Sequence, residues 1–75
     1  MDRKMVNFIK EQYPPGTRIR LNSMEDPYHP ILPGTEGEVD FVDDEGQIFM
    51  KWDNGRTLPL APGEDSFTVL PPKLT

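Results

Sequence analysis

Residues 46–56 are Gly46-Gln47-Ile48-Phe49-Met50-Lys51-Trp52-Asp53-Asn54-Gly55-Arg56, a run in which alternating apolar side chains lead into a turn signal. Successive side chains of a β-strand point to opposite faces, so Ile48, Met50 and Trp52 share one side. Asn-Gly between two such runs is a strong hairpin signal. This run therefore predicts a strand, a tight turn and a buried indole.

The preceding run, residues 35–42, predicts the partner strand. Matching of the apolar faces sets Gly37 opposite Trp52, Val39 opposite Met50 and Phe41 opposite Ile48, because a slip of one residue would reverse every side chain. Gly37 leaves room for the indole to lie across it. The connection is expected to be a four-residue loop, residues 43–46, in which Gly46 adopts a positive φ.

The next turn has two possible lengths. A two-residue Asn54-Gly55 loop would set Trp52 opposite Thr57, whereas a three-residue loop, residues 53–55, pairs Ile48 with Leu60. The longer loop buries more apolar surface, and we predict it, with Gly55 in a left-handed bulge.

Composition limits the class of protein. The chain has 75 residues and no cysteine, so it is at most one domain and has no disulfide, thiolate metal site or cysteine nucleophile. A formal charge of -5 disfavours non-specific contact with nucleic acid or anionic lipid. No apolar run approaches the roughly 20 residues of a membrane helix. We expect a cytoplasmic monomer without a membrane segment.

The remaining pattern predicts a mainly β fold, a five-stranded SH3-like small barrel with a short N-terminal α-helix. The helix is expected within residues 1–13, capped by Asp2 and docking on the barrel through Met5, Phe8 and Ile9. The alternatives are a frayed leader and a contact with a partner chain. The barrel occupies residues 14–70, and residues 71–75 form a loose tail. The predicted strands are residues 17–22, 35–42, 47–52, 56–60 and 67–70. The predicted core is Ile19, Leu21, Val39, Phe41, Ile48, Met50, Trp52, Leu58, Leu60, Phe67 and Val69.

Four motifs carry a family resemblance: Tyr13-Pro14-Pro15-Gly16-Thr17-Arg18-Ile19, Met24-Glu25-Asp26-Pro27-Tyr28, Pro33-Gly34-Thr35-Glu36-Gly37-Glu38-Val39 and Lys51-Trp52-Asp53-Asn54-Gly55. Together they resemble a family of short bacterial and phage proteins catalogued as a domain of unknown function. The resemblance implies a setting in bacteria or mobile elements, and no activity. The chain is more loosely similar to SH3-like modules of the KOW and mind-bomb types, which bind nucleic acid, ribosomal surfaces or peptide tails.

No residue pattern indicates catalysis, a cofactor or a metal. His29 is a lone histidine between prolines, and a metal site needs further ligands. The acids of residues 43–45 faintly resemble a calcium loop, but they lack the alternating acids of an EF-hand and suit a solvated hairpin tip. Arg18, Arg20 and Arg56 form either a small basic patch or exposed ion pairs with neighbouring acids.

Aromatic side chains are the best candidates for contact with a partner, because rings supply contact area at a small entropy cost. We name Asp26, Tyr28, His29 and Trp52 as one candidate partner-binding site. The structural alternatives are packing of Tyr28 onto the barrel and burial of Trp52 over Gly37. The sequence therefore predicts a non-catalytic module that binds a protein or peptide. The alternative is nucleic-acid binding in the manner of KOW modules.

Overall fold

The computed structural model describes residues 2–24, 28 and 31–71, and within them the chain forms one helix and four strands. The elements are α1 Arg3–Gln12, β1 Arg18–Ser23, β2 Glu36–Val42, β3 Ile48–Trp52 and β4 Ser66–Val69. The strands form one antiparallel sheet in the order β3-β2-β1-β4, which does not close on itself. The mainly β class and the N-terminal helix are confirmed at this level. The predicted tail extends into residues 72–75, which lie outside the described part.

The core lies on one face of this sheet. The predicted core residues that are buried are Ile19, Leu21, Val39, Ile48, Met50, Trp52 and Leu60. Leu58 and Phe67 are partly buried against them. Phe41 and Val69 were wrongly placed inside, since each is about half exposed. Ile9, which was predicted on the docking face of the helix, is also buried, and the buried residues that the sequence did not predict are Val6, Ile31 and Val42.

Helix α1 docks through a face that includes only one of the three residues predicted, Ile9. Asp2 caps its start, where the carboxylate accepts a hydrogen bond from the Lys4 N–H at 3.0 Å. Ile9 joins the core and Val6 is buried, whereas Met5 and Phe8 are 50% and 56% exposed. Apolar residues occur on both sides of this helix, so periodicity alone did not specify which side packs against the sheet.

The register of β2 and β3 is confirmed at Gly37 opposite Trp52 and at Val39 opposite Met50. Beyond Val39, a β-bulge changes the pairing to Phe41 opposite Phe49 and Val42 opposite Ile48. An extra residue in one strand reverses the faces that follow it. Phe41 therefore points outward although it was predicted in the core, and Val42, which was not among the predicted core residues, is buried.

The three-residue turn after Trp52 is confirmed. The Trp52 carbonyl accepts from the Gly55 N–H at 2.9 Å, and the Trp52 N–H donates to the Arg56 carbonyl at 2.9 Å. Gly55 has a φ of 87°, the left-handed conformation that glycine adopts without strain. The turn returns the chain along β3, so that Leu60 pairs with Ile48 as predicted.

The predicted strand at residues 56–60 is wrong, because the backbone hydrogen bonds between this segment and β3 lie only near its two ends, at Arg56 and Leu60. The Leu58 carbonyl accepts instead from the Trp52 indole N–H at 2.8 Å. The five-stranded count therefore falls to four strands within the described residues.

The bulged register predicts that a charge at position 42 destabilises the fold more than a charge at the neighbouring position 41. Val42→Asp should lower the free energy of unfolding by at least about 3 kcal/mol, because it leaves a buried charge without a partner. Phe41→Asp should cost only about 1 kcal/mol, the contribution of a lost ring contact. Urea unfolding followed by the fluorescence of the single tryptophan measures both. A larger loss for Phe41→Asp than for Val42→Asp would contradict the bulged register.

Candidate functional site

Of the four residues that the sequence grouped as a partner-binding site, the structure describes two, Tyr28 and Trp52. Asp26 and His29 lie outside the described residues. Tyr28 is 89% exposed. Trp52 is 3% exposed and its indole N–H donates to the Leu58 carbonyl, so the ring offers a partner almost no contact area. The burial of Trp52 agrees with its interpretation as a core residue.

The acidic segment 43–45 is organised as a hairpin turn. The Asp43 carboxylate accepts from the N–H groups of Glu45 at 3.0 Å and Gln47 at 2.9 Å. Gly46 donates to the Asp43 carbonyl and has the predicted positive φ, 82°. Among the described residues, no group of three or more acidic or histidine side chains is placed to hold a metal ion. Asp43 therefore has a local structural role.

Arg18 is held by an acid that the sequence analysis did not pair with it. Its guanidinium donates two hydrogen bonds to the Asp53 carboxylate, at 3.0 and 2.6 Å, and lies 3.7 Å from Glu36. The hydrogen bond to Asp53 raises the pKa of Arg18, and the nearby negative charges add to this, although burial opposes it. A raised pKa in the folded state stabilises the fold as long as Arg18 is protonated. This stabilisation is lost only when the pH rises through the raised pKa of Arg18, which lies above the usual pKa of arginine. The pair links β1 to the turn at residues 53–55.

A partly exposed aromatic pair is a surface feature that the sequence did not predict. The rings of Phe41 and Phe49 stack with centroids 4.7 Å apart and planes within 5°. Phe41 is 47% exposed on the outer face of the sheet. We call this pair the phenylalanine ridge. Alternation along β3 showed that Phe49 faces outward, but no local signal revealed the bulge that brings Phe41 beside it.

A shallow cleft borders the ridge on each side. The helix-side cleft, about 260 Å³, is lined by Lys10, Tyr13, Pro15, Phe41 and Val42. The turn-side cleft, about 570 Å³, is lined by Phe49, Gly55, Arg56, Thr57, Leu58 and Pro59. The ridge and its clefts combine apolar contact area with few charges. This arrangement suits contact with another molecule, since aromatic groups dominate the binding energy of many interfaces.

These features define a small mainly β domain with an exposed aromatic surface. The chain belongs to the family described as Domain of unknown function (DUF4314), which it matches over residues 2–70. A search of curated proteins found no match. In the part of the chain that the structure describes, no helix is long and apolar enough to cross a membrane.

The roles of the two neighbouring aspartates at the hairpin tip predict different effects of mutation. Asp43→Ala should cost about 1–2 kcal/mol of unfolding free energy, because two backbone N–H groups lose their acceptor. Asp44→Ala should cost less than about 0.5 kcal/mol, since it removes one exposed ion pair with Lys10. Thermal unfolding with and without excess calcium measures both. Equal losses, or a calcium-dependent rise in Tm that requires Asp43, would contradict the structural role.

Proposed function

We propose that this chain is a non-catalytic module that binds another protein or a peptide through the phenylalanine ridge. The observation that carries the proposal is the outward, half-exposed ring of Phe41 stacked on Phe49. Apolar surface left in water is unfavourable, and its burial by a partner is the main driving force of most protein association. A stacked pair also limits the motion of both rings, which lowers the entropy lost on binding.

The structural roles of the polar groups support the non-catalytic part of this proposal. Asp43 caps a turn, and Arg18 links a strand to a turn through Asp53. Both charged side chains therefore form hydrogen bonds that stabilise the fold. Nucleic-acid binding ranks lower, because the chain carries a formal charge of -5 and one of its arginines is held in this ion pair.

The proposal includes an SH3-like arrangement of the sheet. Two hydrogen bonds join Leu60 and Ile48, at 2.8 and 2.9 Å, along the edge of β3 that faces away from β2. The segment 56–60 thus has the position of a further strand, while β4 lies at the opposite edge of the sheet. A monomeric state, a cytoplasmic location and a setting in bacteria or phages complete the proposal. They rest on the cysteine-free composition and on the sequence resemblance.

Selection from a random peptide display library tests the proposed function. We expect the wild type to enrich a peptide consensus and Phe41→Ser to reduce retention of the selected peptides at least about tenfold, as for a central contact residue. Phe8→Ser is the matched control, because it removes an equally exposed phenylalanine from helix α1. This control should retain the peptides as the wild type does.

Four outcomes would contradict the proposal in different ways. Absence of a consensus, or equal retention by Phe41→Ser, would remove the ridge as a binding surface. Loss of retention in Tyr28→Ala but not in Phe41→Ser would assign binding to the loop around Tyr28. A gel shift of labelled RNA that weakens steeply with salt would instead support nucleic-acid binding.

A further inference from the structure

The order of the strands sets the two clefts on different sides of the ridge. On one side of β2, the Val39 carbonyl accepts from Gly16 and the Val39 N–H donates to Thr17, both at 2.8 Å. On its other side β2 pairs with β3, and residues 56–60 follow beyond β3. The helix-side cleft, which includes Pro15, therefore lies on the side of Phe41 that faces away from β3. The turn-side cleft lies on the other side of the ridge, between Phe49 and residues 55–59.

Each cleft has one charged lining residue, and both are cations. Lys10 lines the helix-side cleft. Its ammonium group forms an exposed ion pair with Asp44 at 3.2 Å. Arg56 lines the turn-side cleft, and its guanidinium has no ion pair with any of the described residues. The clefts thus combine apolar walls with positive charge at both ends, although the chain as a whole is acidic.

The spacing of the rings limits the shape of a ligand that fills both clefts. Groups that contact the outer faces of two rings stacked 4.7 Å apart lie roughly 12 Å from each other, given about 3.5–4.0 Å for each contact. An extended peptide advances about 3.3 Å per residue and returns to the same side every second residue. Side chains four residues apart therefore match the two clefts.

We propose that the ridge and its clefts bind an extended peptide segment with apolar side chains at positions i and i+4, flanked by carboxylates. This proposal rests on the function proposed above and specifies the chemistry of its partner. The apolar side chains fill the clefts, and the carboxylates pair with Arg56 and Lys10. Complementary charge at the rim selects the partner and its direction more than it adds to affinity.

The test compares two synthetic peptides, Glu-Ser-Leu-Ser-Thr-Ser-Leu-Ser-Glu and the same peptide with lysine in place of both glutamates. Titration into the isotope-labelled full chain, followed by NMR, gives both affinities and the position of the bound peptide. We expect the acidic peptide to bind at least about tenfold more tightly and to shift the amides of Phe41, Phe49 and Arg56. Arg56→Glu should abolish this preference. Arg20→Glu, an equal change of charge on an exposed residue outside both clefts, should keep it.

The outcomes separate this proposal from the proposed function. Tighter binding of the lysine peptide, or equal behaviour of Arg56→Glu and Arg20→Glu, overturns the acidic chemistry, while shifts at Phe41 and Phe49 would still support binding at the ridge. If neither peptide shifts these amides, the proposed ligand is wrong. The display selection then decides separately whether the ridge binds peptides of another kind.

Discussion

The close contact between Gly37 and Trp52 is the constraint on which the rest of the fold depends. A Cβ at position 37 would lie 2.8 Å from both the Lys51 carbonyl oxygen and the Trp52 Cα, and 3.0 Å from the indole ring. Only glycine fits there, and a slip of one residue would bring the side chain of Glu36 or Glu38 against the ring. The register of β2 and β3 is therefore fixed. The buried indole in turn binds the Leu58 carbonyl and holds the segment that follows the turn.

The bulge between Val39 and Phe41 changes which side chains of β2 face the core. Before the bulge, β2 buries Val39 against the core, and after it Val42 replaces Phe41 on the inner side. This change keeps the core apolar and places a second ring beside Phe49 on the outer face. The proposed binding surface is thus a consequence of one additional residue. Irregularities of this kind commonly redirect side chains at functional sites.

The sequence predicted features that local patterns determine. Alternation and turn chemistry were sufficient for the register at Gly37, for both glycine turns and for the pairing of Leu60 with Ile48. The bulge was not predictable, because Phe41 and Val42 are both apolar and either one satisfies the pattern. The docking face of α1 and the loss of the strand at residues 56–60 depend on tertiary contacts, namely the packing of α1 against β2 and the hydrogen bond of the Trp52 indole. The ridge was not predicted for the same reason as the bulge. The partner-binding role of Tyr28 stays a prediction.

The unfolding free energy of Gly37→Ala tests the central constraint most directly. The added methyl would meet backbone atoms that cannot move independently, so we expect a loss of about 3 kcal/mol in urea unfolding. Gly63→Ala is the matched control, because Gly63 has a φ of 89° but open space around it, and its cost should be about 1 kcal/mol from backbone strain alone. A Gly37→Ala chain as stable as the wild type, or more stable than Gly63→Ala, would contradict the account.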